Sequence, residues 1–199
     1  SGSYTLTIRN GSATAVADYG FRLIDLATVP TVPLNVPVNG ELSVPFETDV
    51  FKLDVVAGQR FYLDTRGSNL GTVRHRLIGP DGNAIFDSTT NVGVGPLTIT
   101  RSGRFTLAIG GTETAAGNYS FRLFDVLAEP ELEFNQLITD ATIDGVEADV
   151  FRFTGEANQT VAFVTTSPVL NSRGYLYDSS NQLLATLVIG RSEAVTLPR

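Results

Sequence analysis

Cysteine, methionine and tryptophan are absent from this 199-residue chain, and histidine and lysine occur once each, as His75 and Lys52. Without cysteine there is no disulfide, no thiolate metal site and no thiol nucleophile. A lone histidine leaves a zinc site or a catalytic triad without the second imidazole or thiolate it needs as partner. Positive charge is scarce as well: 14 lysines and arginines stand against 21 acidic residues, for a formal net charge of -7. Nucleic acid is held by clustered cations that displace counterions, so this balance argues against a polyphosphate partner. No apolar run approaches the ~18 residues of a membrane-spanning helix, so no membrane insertion is expected. No charged-then-apolar leader opens the sequence. What is abundant fits packed globular units: the chain is 42% hydrophobic and only 18% charged, with many β-branched residues, too apolar for a disordered chain.

The dominant feature is an internal repeat. Tyr19-Gly20-Phe21-Arg22-Leu23-Ile24-Asp25-Leu26 returns as Tyr119-Ser120-Phe121-Arg122-Leu123-Phe124-Asp125-Val126, and Glu47-Thr48-Asp49-Val50-Phe51-Lys52-Leu53 returns as Glu147-Ala148-Asp149-Val150-Phe151-Arg152-Phe153. Ser1-Gly2-Ser3-Tyr4-Thr5-Leu6-Thr7-Ile8 matches Ser102-Gly103-Arg104-Phe105-Thr106-Leu107-Ala108-Ile109, and Val195-Thr196-Leu197-Pro198-Arg199 matches Leu97-Thr98-Ile99-Thr100-Arg101. The period is about one domain long. Residues 27–126 therefore read as one complete unit. Residues 127–199 read as a second unit lacking its last two strands, and residues 1–26 as terminal strands that complete a neighbouring copy. Placed tail to head, the two ends make one further repeat.

Period-two alternation runs through Tyr4, Leu6 and Ile8, through Phe51, Leu53 and Val55, and through Phe105, Leu107 and Ile109, the pattern of half-buried strands. Turn residues separate these runs. Pro80-Asp81-Gly82 predicts a hairpin of 73–79 with 83–87, with Ser179-Ser180-Asn181 as its counterpart. The three prolines of Val29–Pro37 remove ladder donors, so that segment reads as a linker or edge strand, with Glu129-Pro130-Glu131 as the second crossover. The predicted fold is all-β: two tandem antiparallel β-sandwich repeats, jelly-roll-like, with seven to nine strands each and the second completed by the N-terminal strands of an adjacent copy. Phe51, Leu53, Phe61, Leu63, Leu77, Phe105, Leu107, Phe121 and Leu123 are the expected core of 27–126.

The order of these elements resembles the bacterial pre-peptidase C-terminal domain of large secreted proteins. The matching stretches are Gly40-Glu41-Leu42, Asp49-Val50-Phe51-Lys52-Leu53, Ala57-Gly58-Gln59-Arg60-Phe61-Tyr62-Leu63, the Leu77–Asn83 hairpin, Ser102–Leu107 and Gly117–Leu123. The second unit departs from the pattern, carrying Glu156-Ala157-Asn158-Gln159 where the first has Ala57-Gly58-Gln59. The resemblance implies a noncatalytic jelly-roll-like sandwich that accompanies secreted peptidases or studs long surface proteins. It also implies that some relatives bind calcium and collagen.

Candidate chemistry is sparse. Glu47 and Asp49, with Glu147 and Asp149, recur at the start of the same strand. Two carboxylates one residue apart share a strand face and, with loop carbonyls, form a candidate oxygen-ligand site for calcium; otherwise they cap a turn and solvate a strand end. His75 aligns with Gly174 and reads as a strand position facing solvent rather than a general base. Arg22 and Arg122 read as outer-face residues paired with Asp25, Asp125 or neighbouring strands. Three N-glycosylation sequons, at Asn10, Asn118 and Asn158, fall within the chance expectation of a composition rich in Asn, Ser and Thr. No shared nucleophile, base and orienting group can be assembled, so no enzyme is expected.

The leading expectation is a structural repeat of an extracellular fibre or giant bacterial surface protein. Its partners are copies of itself, joined head to tail through Tyr4, Leu6, Ile8, Tyr19, Phe21 and Leu23 by strand complementation or tandem continuation. The competing expectation is an accessory binding module of a secreted enzyme, taking collagen, polysaccharide or another cell-surface ligand, with or without calcium. Exposed tyrosines clustered on one sheet would favour the binding module.

Overall fold

The computed structural model describes residues 1–11, 14, 16, 18–66, 73–89, 93–112, 116–138, 147–166 and 172–198. Eight strands lie between residues 37 and 125: β1 (Pro37–Leu42), β2 (Thr48–Val55), β3 (Arg60–Asp64), β4 (Val73–Ile78), β5 (Ala84–Ser88), β6 (Val94–Thr98), β7 (Gly103–Gly111) and β8 (Gly117–Asp125). They form two antiparallel four-stranded sheets, ordered β1-β8-β3-β6 and β2-β7-β4-β5. Successive strands thus cross between the sheets except β4 and β5, which pair as a hairpin within one of them, a jelly-roll-like order. In both sheets one of the last two strands is internal: β7 lies between β2 and β4, and β8 between β1 and β3.

Alternation decides which side chains meet between the sheets. Along β7, Phe105, Leu107 and Ile109 point inward, and along β8, Tyr119, Phe121 and Leu123 do so, while their neighbours face out. With Leu42, Leu53, Val55, Phe61, Leu63, Val73 and Leu77 they make one continuous core. Phe51, at its margin, is half-buried and meets the Phe121 ring edge-on at a centroid distance of 5.6 Å. Every expected core residue lies in this cluster or against it. The proline-rich segment is more firmly held than a free linker. Val29 and Val32 are buried, Lys52 N–H donates to Pro30 O (2.8 Å), and Val32 N–H donates to Lys52 O (2.9 Å).

His75 corrects its sequence reading. It is buried on the inner face of β4, between Val73 and Leu77. The parity that places Leu77 in the core places His75 there too, because residues two apart on a strand share a face.

Beyond the 3-10 turn Val126–Ala128 come four short strands, β9 (Thr160–Phe163), β10 (Arg173–Tyr177), β11 (Leu183–Val188) and β12 (Glu193–Thr196). Among the described residues β9 pairs only with β12, and β10 only with β11. These pairs repeat β3 with β6 and β4 with β5 down to their bonding. Thr160 faces Thr196 as Arg60 faces Thr98. The β4–β5 ladder shifts register between Leu77 and Ile78, and the β10–β11 ladder between Leu176 and Tyr177. Gly58 N–H donates to Ile99 O (2.8 Å), and Asn158 N–H donates to Leu197 O (3.0 Å). Gly58 has a φ of 95° and Asn158 a φ of 63°, which explains the departure from glycine in the second unit: asparagine is the side chain that tolerates this region best.

Candidate functional site

Among the described residues, 127–198 carry counterparts of β3, β4, β5 and β6, and no counterpart of β7 or β8 forms there. In the 37–125 sandwich those two are internal, β7 between β2 and β4 and β8 between β1 and β3. The β2 counterpart, 148–155, forms no ladder and makes one parallel bridge, Glu131 to Arg152. Phe151 and Phe163 are exposed, where Leu63, the counterpart of Phe163, is fully buried.

The missing pattern is present at the other end. Residues 4–9 and 18–26, expected to be strands, form none among the described residues. A strand needs a partner for its backbone donors and a sheet to receive its apolar face, and among the described residues this segment joins no sheet. Tyr4, Tyr19, Phe21 and Leu23 are 93%, 70%, 63% and 91% exposed, whereas Phe121 and Leu123 are 0% and 1% exposed. Leu6 and Ile8 are exposed too, while Leu107 and Ile109 are fully buried. The same alternation is therefore core in one place and open surface in the other.

The repeated carboxylates have protein partners. Glu47 Oε2 accepts from the N–H groups of Ser43 (2.6 Å) and Val44 (3.3 Å), closing the turn before β2. Asp49 Oδ2 accepts from the Tyr119 hydroxyl (2.7 Å), which burial and this carboxylate push far above the usual tyrosine range. Glu147 bridges Arg66 (2.7 Å) and Arg122 (2.9 Å). Asp149 occupies the position equivalent to Asp49. Among the described residues no three carboxylates or imidazoles gather as a metal-binding group.

Arg122 lies on the outer face of β8 with its guanidinium 4.2 Å from the Phe124 ring centroid. Its charged partner is Glu147, with Asp64 farther off at 4.0 Å; Asp125 instead accepts from Gln59 Nε2 (3.2 Å) and Leu127 N–H (3.2 Å). Arg22 donates to Thr48 O (2.9 Å), and Asp25 Oδ1 accepts from Ala27 N–H (2.9 Å). Asp64 is buried, and that burial pushes its carboxyl up to about 6. His75 is pushed down to about 4 by burial, and its Nδ1 has no hydrogen-bond partner among the described residues, so nothing orients it as a base. Of the neighbouring Tyr62, Tyr175 and Tyr177, only Tyr175 is exposed. An open depression at Pro80, Asp81, Arg101 and Ser102 is crossed by the Arg101–Asp81 ion pair (3.0 Å).

No helix among the described residues is long and apolar enough to cross a membrane. No family model and no curated protein matches the chain. Among solved structures it is similar to the pre-peptidase C-terminal domain of a collagenase from Bacillus anthracis, at 16% identity and a TM-score of 0.39, over 48% of this chain and 93% of that one. It is also similar to PliG, a periplasmic inhibitor of g-type lysozyme. The Aeromonas hydrophila protein is 18% identical with a TM-score of 0.37, over 48% of this chain and 93% of that one. The Salmonella Typhimurium protein is 20% identical with a TM-score of 0.36, over 45% and 85%.

Proposed function

We propose that this chain is a noncatalytic structural repeat of an extracellular fibre or giant bacterial surface protein. In this reading residues 1–26 of one copy enter the 127–199 body of the next, between subunits or as the continuation of a tandem chain. Residues 4–9 take the place of β7 and residues 18–25 that of β8. The observation that carries the reading is that the exposed apolar face of 1–26 matches in sequence the buried face of β7 and β8, while 127–198 holds counterparts of β3 and β4, one strand that each of them joins.

The repeat also fixes the register of insertion. Asn35, at a φ of 62°, accepts from Asp125 N–H through its Oδ1 (2.7 Å), and Asn135 holds the same backbone conformation at 67°. The incoming Asp25 N–H is expected on Asn135, and the incoming Tyr19 hydroxyl on Asp149. Such a head-to-tail contact does not close on itself and generates a filament. The exposed edges of an incomplete sheet favour this pairing, since open strands recruit other chains.

The test is deletion of 1–26. The expected product keeps the 37–125 sandwich folded by circular dichroism and hydrogen exchange but stays monomeric. A synthetic peptide of residues 1–26 should in turn occupy the 127–199 body of the intact chain and stop its growth. Filaments formed by the deleted chain would overturn the reading and leave the accessory binding module in its place.

A further inference from the structure

The chain contains the same connection twice. Arg22 Nη2 donates to Thr48 O (2.9 Å), and Arg122 Nη2 donates to Ala148 O (2.8 Å). Lys52 N–H donates to Pro30 O and Arg152 N–H to Pro130 O, with the return bonds from Val32 and Leu132. The long cation of the same residue then reaches back along the connector, Lys52 Nζ to Ala27 O (2.8 Å) and Arg152 Nε to Glu129 O (3.0 Å). In each case the arginine at the β8 position of one repeat is tied to the β2 position of the next.

The second connection carries more. Arg122 of β8 and Arg66, two residues past the end of β3, grip Glu147, and Asp64 accepts a backbone hydrogen bond from Ala148. These side chains are three-quarters or more buried. A separate attachment forms on the same sheet, where Arg60 donates to Asn181 Oδ1 (2.6 Å) and Asp178 O (2.6 Å) and Asn181 Nδ2 donates to Thr98 Oγ1 (3.1 Å). Two attachments made by segments far apart in the chain block rotation about a single connector. Without such an interface, relative motion between units is the default.

At the equivalent positions of the second body stand Thr160 for Arg60, Val164 for Asp64 and Thr166 for Arg66. A joint made by that body with the following copy keeps the Arg22 and Lys52 bonds and loses the three charged residues that clamp the other. We propose that the joint inside the chain is a rigid clamp and the joint between copies a hinge, so that the fibre bends once for every two repeats. The clamp follows from this chain alone; the position of the hinge rests on the head-to-tail reading above.

The absence of cysteine permits a direct test. Spin labels on Ser43→Cys and Thr186→Cys, both exposed, report the distance across the inner joint in dilute monomer. A single narrow distance distribution is expected, widening severalfold in Arg60→Ala/Arg66→Ala; a broad distribution in the otherwise unaltered chain would overturn the clamp. In electron micrographs of filaments, bends are expected at alternate joints. The triple substitution Thr160→Arg, Val164→Asp, Thr166→Arg should lengthen the persistence length. Bends spread equally over all joints, or no stiffening by the triple variant, would overturn the hinge. A narrow distribution with no filaments under any condition supports the clamp and refutes the head-to-tail reading.

Discussion

Phe21 and Phe121 are the same residue of the repeat in two states, and truncating each to alanine separates stability from assembly. Phe121 is fully buried between the sheets, in edge-on contact with Phe51 and stacked on Tyr119 at 6.3 Å. Removing a buried phenylalanine ring costs about 3–5 kcal/mol in lost transfer energy and residual cavity. That is a large share of the ~5–15 kcal/mol that holds a typical domain folded. Phe121→Ala is therefore expected to lower the melting temperature steeply or to prevent folding. Phe21 is 63% exposed, and its truncation should alter the stability of the dilute chain by no more than about 0.5 kcal/mol. If Phe21 becomes the central core residue of a neighbour, the same 3–5 kcal/mol is lost from association instead. At 1.4 kcal/mol per tenfold, this weakens binding by about two to four orders of magnitude. Thermal melting of dilute protein gives the first quantity, and sedimentation across a concentration series gives the second. A drop in melting temperature for Phe21→Ala comparable to that for Phe121→Ala would mean that Phe21 packs within its own chain. Unchanged association would mean that it enters no neighbour. Either result refutes the reasoning.

Two buried titrating groups act in opposite directions on stability. His75, held at about 4, binds fewer protons folded than unfolded between pH 4 and 6.5, so its contribution of about 3 kcal/mol is lost as the pH falls through that window. Asp64, held at about 6, binds more protons folded than unfolded between pH 3.8 and 6, so its effect weakens the fold as the pH rises. His75→Val should unmask the Asp64 effect as a melting temperature that falls from pH 4 to 6; a rise across that interval would contradict the assignment. Gly40→Ala places a Cβ inside the Tyr119 ring, whose hydroxyl is anchored on Asp49, and overpacking of this kind should cost about 1–3 kcal/mol by denaturant unfolding. Calcium at millimolar concentration is expected to leave the melting temperature where EDTA leaves it, because Glu47, Asp49 and Glu147 already bind backbone N–H groups, a tyrosine hydroxyl and arginines. A concentration-dependent rise would reinstate an oxygen-ligand site at these residues.

Between residues 37 and 125 periodicity located the strands and the core because both depend on local parity, whereas 4–9 and 18–26 show the same alternation and form no strand among the described residues. Phe105, Leu107 and Ile109 had to share a face, and so did Val73, His75 and Leu77; the Gly174 counterpart of His75 pointed to solvent, and strand parity overrode it. The partners of the acidic pairs were not legible. Tyr119 lies far from Asp49 in the chain, and Arg66 lies far from Glu147, so only pairing across strands could bring them together. Arg122 was expected to pair with Asp125 or a neighbouring strand, and its charged partner is Glu147, which sequence proximity could not indicate.

The repeat, the all-β class and the hairpins were determined by the sequence alone, since each follows from residue identity at a fixed spacing. The place of the last two strands was decided by the tertiary structure. In sequence β7 and β8 are merely the final pair, and their loss suggests a bare edge. In the jelly roll the chain returns between strands laid down earlier, so these late strands stand at the centre of both sheets. They carry both the backbone partners and the apolar faces that join the two sheets, so the tertiary position, not the order in sequence, makes them central to the core.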